Sequence, residues 1–344
     1  MTAPRSNPND KAPLPARPTM RDVARLAGEV HPSTVSLALR NSPRVSAKVR
    51  DKIQAVARRI GYRRDPLLDA FNQHRLKIVP QRAPRHIAAI SDFSSMAELM
   101  ASPLHAAARA GAIEAAARLH CRLDFFFCGS GQPNARRLDA VLEARGLRAL
   151  LIFAVHADSS AMDFDWSRRC AVAIDSLQLS TFFYRVTPDF MEATRLLWRR
   201  AWTQGSQRIG LVRSNAVDPA TEDRAAAGFL LEQLRHPQAE PIPIHHFSPG
   251  RAGHASFTKW LHKYRSQTIL HTSLLAKSLP PVVSEESVRC LVFDAPSSDQ
   301  PGICPNYAEV GRRAVEQLVT LMQTNQLGLP SAAVCTYVPV SLPI

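Results

Sequence analysis

The chain has 344 residues, with 43 Lys and Arg against 29 Asp and Glu and a formal net charge of +14. That length is more than one hydrophobic core usually holds, so a small domain of about 60 residues and a core of about 260 are expected. No stretch reaches eighteen apolar residues and no apolar segment stands near the start, which excludes a membrane-spanning helix and a secretory signal and predicts a cytoplasmic protein.

In chain order, residues 1–18 are rich in proline, with Asn, Ser and charge, and read as a disordered tail. Thr19, with Asp22 three residues later, is a capping-box-like start to a helix that turns Val23, Leu26 and Ala27 to one face and stops at Gly28. A second helix opens at Pro32, buries Val35, Ala38 and Leu39, and offers Ser33, Ser36, Leu37 and Arg40 on its other side. A third is capped by Ser46, carries Ile53, Val56, Ala57 and Ile60 at helical spacing, and stops at Gly61. Two short amphipathic helices joined by a glycine turn, with a third to share their core, make an all-α helix-turn-helix headpiece over 19–64. Double-stranded DNA is then the first partner to consider. Charge supports this independently: residues 1–85 hold 18 Lys and Arg against 6 Asp and Glu, whereas 86–344 hold 25 against 23. Lys and Arg that neutralise phosphates release condensed counterions, and here the charges interleave with an apolar repeat, which a solvated tail does not explain.

Residues 65–85 contain Pro66, Pro80 and Pro84 and read as a linker. Beyond it, apolar runs over 87–93, 123–127, 150–155, 170–174, 208–212, 242–246, 267–271 and 290–293 read as strands, alternating with helices such as 103–119, 135–145, 189–202 and 221–234. That alternation predicts an α/β core of parallel sheets covered on both faces, with ligands at the carboxyl ends of strands. Six cysteines without a Cys-x-x-Cys pair suit small apolar fillers in a reduced protein. His245 and His246 point to opposite faces of a strand, so no shared metal is expected. Gly129-Ser130-Gly131 lacks the later glycine and lysine of a phosphate loop. No Ser, His and carboxylate stand in a hydrolase order, so neither a cofactor nor an enzymatic activity is expected.

Asp22-Val23-Ala24, Ala27-Gly28, Ser33-Thr34-Val35-Ser36, Arg44-Val45-Ser46 and Gly61-Tyr62 together resemble the DNA-binding headpiece of the lac-repressor (LacI/GalR) family of bacterial transcription regulators. The resemblance implies DNA contacts from Thr19, His31, Pro32, Ser33, Thr34, Ser36, Leu37, Arg40, Arg44 and Tyr62. It places a hinge helix at 65–71, with Leu67 on its apolar face and Phe71 at the position of a minor-groove wedge; the same face also suits packing on a dimer mate. Two features depart from the family. One extra residue, Glu29 or Val30, lies before the Ser-Thr-Val-Ser run, and either tilts the second helix or is absorbed as a looser turn. Of the base-reading positions Pro32, Ser33 and Leu37, only Ser33 can hydrogen-bond a base edge.

Residues 86–344 resemble the two-lobed, periplasmic-binding-protein-like core of the same family, two Rossmann-like subdomains. The resemblance implies one lobe over about 86–182 plus 305–326 and another over about 188–300 plus 331–344, with the last strand, 334–339, in the second. Crossings between lobes would fall near 182–188, 301–306 and 327–331. Asp92, Asp175, Arg224 and Asp294 stand where the family's loops face the inter-lobe cleft, and would suit a small polar effector such as a sugar. The whole implies a homodimeric regulator, a repressor rather than an activator, on a near-palindromic operator, without the tetramer-forming tail of one branch of the family. The alternative is a constitutive DNA-binding dimer whose core is only a scaffold.

Overall fold

The computed structural model describes residues 18–39, 42, 44–62, 85–129, 135–153, 164–174, 183–214, 219–297, 300–332 and 334–342. The chain divides into two compact units, Met1–Gln81 and Arg82–Ile344. The first holds α1 (Met20–Leu26), α2 (Pro32–Leu39) and α3 (Ala47–Arg59) around a core that includes Val23, Ala24, Ala27, Val35, Ala38, Ile53 and Val56.

Local chemistry sets the helix ends. Thr19 Oγ1 accepts from Asp22 N–H at 3.4 Å, and Asp22 Oδ2 accepts from Thr19 N–H at 2.8 Å, which completes the capping box. Ser46 stands at the cap of α3, but its hydroxyl makes no cap bond; its carbonyl accepts from Arg50 N–H at 2.9 Å. After α3, Gly61 takes φ +68°, its N–H donates to Arg58 O, and Tyr62 N–H donates to Ala57 O, the paired bonds of a Schellman motif. After α1 that pattern is stretched by one residue. Gly28 and Glu29 are both left-handed, at φ 103° and 54°, and it is Val30 N–H that reaches back to Ala24 O, at 3.2 Å. The turn between α1 and α2 thus holds two consecutive left-handed residues.

The second unit begins with β1 (Arg85–Ser91), α4 (Met96–Ala101), α5 (Pro103–Arg118), β2 (Cys121–Phe127), α6 (Ala135–Ala144), β3 (Ala149–Phe153), β4 (Cys170–Ile174) and β5 (Tyr184–Pro188). It continues through α7 (Phe190–Thr203), β6 (Ile209–Ser214), α8 (Pro219–Arg235), β7 (His245–Phe247), α9 (Arg251–Tyr264), β8 (Thr268–His271), α10 (Ser273–Ala276), α11 (Val282–Glu285) and β9 (Arg289–Val292), and ends with α12 (Tyr307–Thr324) and β10 (Val334–Val338). Among the described residues, one parallel sheet has six strands in the order β10-β5-β4-β3-β1-β2, and another has four in the order β7-β6-β8-β9. Successive residues of a strand face opposite ways, so Ile87 and Ala89 enter one core, with α5 and α12, while Ala88 and Ile90 enter another, with α6. In the second sheet Leu211 packs with α7 and α8, and Val212 with α9.

One expectation is overturned. The last strand, expected in the second lobe, is β10 at the edge of the first sheet, parallel to β5 from Val334↔Tyr184 to Val338↔Pro188. The segment 184–188, expected as a crossing, is itself a strand paired with β4, and its free edge accepts β10. The first crossing therefore follows Pro188, and the third follows Val338, because Val340 and Leu342 pack on the second sheet's core. The second runs between Ile303 and Tyr307, which belong to different cores.

Two helix pairs lock these layers. A β-carbon on Gly111 of α5 would lie 1.8 Å from Ala308 O, and one on Gly311 of α12 would lie 1.9 Å from Ala108 O, so backbone meets backbone. Between α7 and α8, the fully buried Glu232 accepts from Arg195 Nε and Arg199 Nη2, both at 2.8 Å. Burial alone would raise the Glu232 pKa, but the bonds from Arg199 and Arg195 hold it below the ordinary value.

Two substitutions test this account. A left-handed residue with a β-carbon costs about 1–2 kcal/mol, so Glu29→Gly should stabilise the headpiece by about 1 kcal/mol in thermal unfolding; a loss would mean that the Glu29 side chain holds the turn. Gly311→Ala should destabilise the core by about 1–3 kcal/mol in urea, and an unchanged midpoint would disprove the close approach of α5 and α12.

Candidate nucleic-acid interface and ligand cleft

In the headpiece, α2 starts on His31. Its carbonyl accepts from Thr34 N–H at 2.8 Å, while its ring Nδ1 lies 3.3 Å from Ser33 N and 2.7 Å from Ser33 Oγ. An imidazole thus fills a cap position where Ser, Thr, Asp or Asn is usual, which sequence reasoning had no signal to find. At the other end, Gln54 Nε2 donates to Ala38 O at 3.2 Å and fastens the last turn of α2 to α3. Bonds from Thr19 hold the Asp22 carboxyl below its ordinary pKa, so a carboxylate faces the positive end of α1.

Of the expected DNA contacts, Thr19, His31, Ser33 and Arg44 are exposed, as are Arg21, Arg25, Lys48, Lys52, Arg58 and Arg59. Pro32, Thr34, Ser36 and Tyr62 are half-buried. Leu37, expected on the outer side of α2, is also half-buried and packs on the headpiece core. Arg40, Leu67 and Phe71 lie outside the described residues.

In the core, the expected cleft residues are engaged differently from one another. Asp92 is half-buried after β1, and Asp175 lies outside the described residues. Asp294, after β9, accepts from Ser273 N–H and, at 3.1 Å, from the Ser273 hydroxyl, and so helps to start α10. Arg224, on α8, donates from Nη2 to Asp189 Oδ1 at 3.0 Å, and its guanidinium lies 3.7 Å from the Tyr337 ring centroid. Asp189 also accepts from Glu192 N–H at 3.3 Å, and its own N–H donates to Val338 O at 3.0 Å. Arg224 thereby links Asp189, where the first crossing begins, to Tyr337 near the end of β10.

The sequence did not single out His271 as a ligand residue. It is 1% exposed at the carboxyl end of β8; Nδ1 donates to Thr272 O at 2.8 Å, and Nε2 has no partner among the described residues, as is true of Thr272 Oγ1. Burial lowers the His271 pKa against the opposing effect of the Thr272 carbonyl, and burial together with His246 lowers that of His245. Among the described residues, no group of three or more His, Cys, Asp or Glu could hold a metal ion, and no helix is long and apolar enough to cross a membrane.

The family model described as bacterial regulatory proteins, lacI family, matches residues 19–65, the segment that contains all three headpiece helices. The headpiece belongs to the lacI family. No curated protein matches the chain. Among solved structures, a complex of the transcriptional regulator CelR with cellobiose is similar at a TM-score of 0.57 and 18% identity, over 95% of this chain and 99% of that one. A LacI transcriptional regulator from Lactobacillus brevis matches at a TM-score of 0.52 and 13% identity, over 75% of this chain and 99% of that one. The lac repressor bound to ONPG matches at a TM-score of 0.50 and 18% identity, over 95% and 98%. At these identities the likeness is one of fold, and it runs from the lacI-type headpiece through the two-sheet core.

The two buried imidazoles give the core an acid limit. The unfolded chain takes up protons that the folded core refuses, so their contribution is full above the ordinary imidazole range and stability falls as pH drops through it. His271→Gln should flatten the loss of urea stability between about pH 8 and about pH 5. An unchanged slope would place the acid sensitivity elsewhere.

Proposed function

We propose that the chain is a cytoplasmic transcription regulator that acts by binding DNA rather than by catalysis. What carries the reading is the lacI-family match over 19–65 on a three-helix headpiece within the part of the chain that holds most of its excess positive charge. As a homodimer it places one headpiece on each half of a near-palindromic operator, and repression is the expected direction. Thr19, His31, Ser33, Thr34, Ser36, Arg40, Arg44 and Tyr62 contact the operator through phosphates and bases, with Pro32 and Leu37 as apolar neighbours and Leu67 and Phe71 in the hinge.

The core senses a small polar effector, a sugar or similar hydroxylated molecule, held between the lobes by Asp92, Asp175, Arg224 and Asp294. The fold shared with CelR and the lac repressor supports this reading. So does the place of Arg224: a ligand that draws its guanidinium from Asp189 loosens two crossings at once and so changes the set of the lobes.

Duplexes enriched from a random pool by the full-length protein test both parts. The logarithm of affinity should fall linearly with that of salt, about 0.9 per phosphate neutralised, and Arg44→Ala should reduce that slope by about 1 for every sequence alike. Binding that ignores salt would overturn the DNA reading. A sugar or nucleoside at about 100 times its Kd should add roughly 2.7 kcal/mol of stability in a thermal shift, whereas silence across such a panel would leave the core a scaffold.

A further inference from the structure

We propose that His31 fixes the hydrogen-bond polarity of Ser33, so that the headpiece reads an exocyclic amino group, adenine N6 or cytosine N4, at the base contacted by α2. This rests on the reading of α2 as the helix that enters the major groove.

The argument begins with a donor that cannot invert. The Ser33 backbone N–H can only donate, and it donates to His31 Nδ1 at 3.3 Å. Nδ1 therefore carries its lone pair, and the ring proton sits on Nε2. The Ser33 hydroxyl, 2.7 Å from the same Nδ1, finds no proton there and must supply its own. A serine hydroxyl has one proton and two lone pairs. With the proton held by His31, only lone pairs remain for an incoming base.

In the major groove, guanine N7 and O6, adenine N7 and thymine O4 are acceptors, and they meet those lone pairs unfavourably. The amino groups of adenine and cytosine are donors, and they meet them well. Both side chains are exposed at the first turn of an eight-residue helix, where a recognition helix reaches base edges. A serine with a free hydroxyl rotates to suit donor or acceptor; the imidazole removes that freedom. With Leu37 drawn toward the core and Pro32 lacking any hydrogen-bonding side chain, Ser33 is left to set the reading at this end of α2.

The test uses the full-length protein and duplexes selected from randomised half-sites. The contacted position is the one whose base preference is erased by Ser33→Ala. There the amino group is replaced by an oxygen acceptor, hypoxanthine for adenine or uracil for cytosine, each with its Watson–Crick partner. The wild type should lose affinity by about tenfold, the cost of two acceptors facing each other, and Ser33→Ala should be indifferent. His31→Ala, which frees the hydroxyl to donate, should bind both duplexes within about twofold of each other. His31→Asn, which keeps an acceptor at the cap, should retain the wild-type penalty and shows that the headpiece still folds. A wild type that tolerates the acceptor, or a His31→Ala variant that keeps the full penalty, overturns the proposal. Failure to enrich any duplex would instead overturn the DNA-binding reading beneath it, so the two failures are distinguishable.

Discussion

The central strands of the core are apolar on both faces, and most of the architecture follows from that. Ile87, Ala88, Ala89 and Ile90 are consecutive in β1 and fully buried, yet they enter two different cores. Such a strand needs a helical layer on each side, and a chain that alternates strand and helix under that demand builds a parallel sheet with its loops gathered at the carboxyl ends. Asp92 and Asp294 owe their positions to this rule, each following the last residues of a buried strand. The same rule fails at the edge. β10 pairs with β5 through backbone bonds while Val334, Thr336 and Tyr337 remain exposed, so hydrogen bonding rather than burial recruits it.

The headpiece obeys a different economy. Its core is small, and the ends of its helices carry much of its definition: the Thr19–Asp22 box, the Gly61–Tyr62 closure, the stretched turn at Gly28 and Glu29, and the Gln54 bond to Ala38 O. Each fixes the direction in which a helix leaves its neighbour. The placement of Ser33 therefore depends on contacts at both ends of α2.

Much of this was legible in the sequence, and the omissions have physical reasons. Strand β4 was expected at 170–174 and is Cys170–Ile174, because a short unbroken apolar run between polar flanks has few other readings. Strands β5 and β10 were obscured for opposite reasons. Tyr184-Arg185-Val186-Thr187-Pro188 mixes polar and apolar residues and ends on a proline, and β10 has little buried side-chain surface to announce its partner. At the candidate sites, Thr19 with Asp22 could be read because capping is local. The pairing of Arg224 with Asp189, 35 residues away, could not, because it depends on how α8 packs beside a crossing. Leu37 misled because helical spacing gives a direction but not the width of the apolar face, and Glu29 left two readings open because a sequence does not report φ.

The backbone-to-backbone contact of Gly111 and Gly311 has a mechanical consequence. With no side chain between them to deform, α5 and α12 behave as one piece with the first sheet, and the Glu232 cluster does the same for α7 and α8 in the second. Any turning of one lobe against the other is then confined to the short crossings. Two of these start side by side, where β5 and β10 end in parallel and Asp189 N–H donates to Val338 O. Asp189, Arg224 and Tyr337 meet beside these exits, so a substitution there would reach the joint between the two sheets without touching the packing of either.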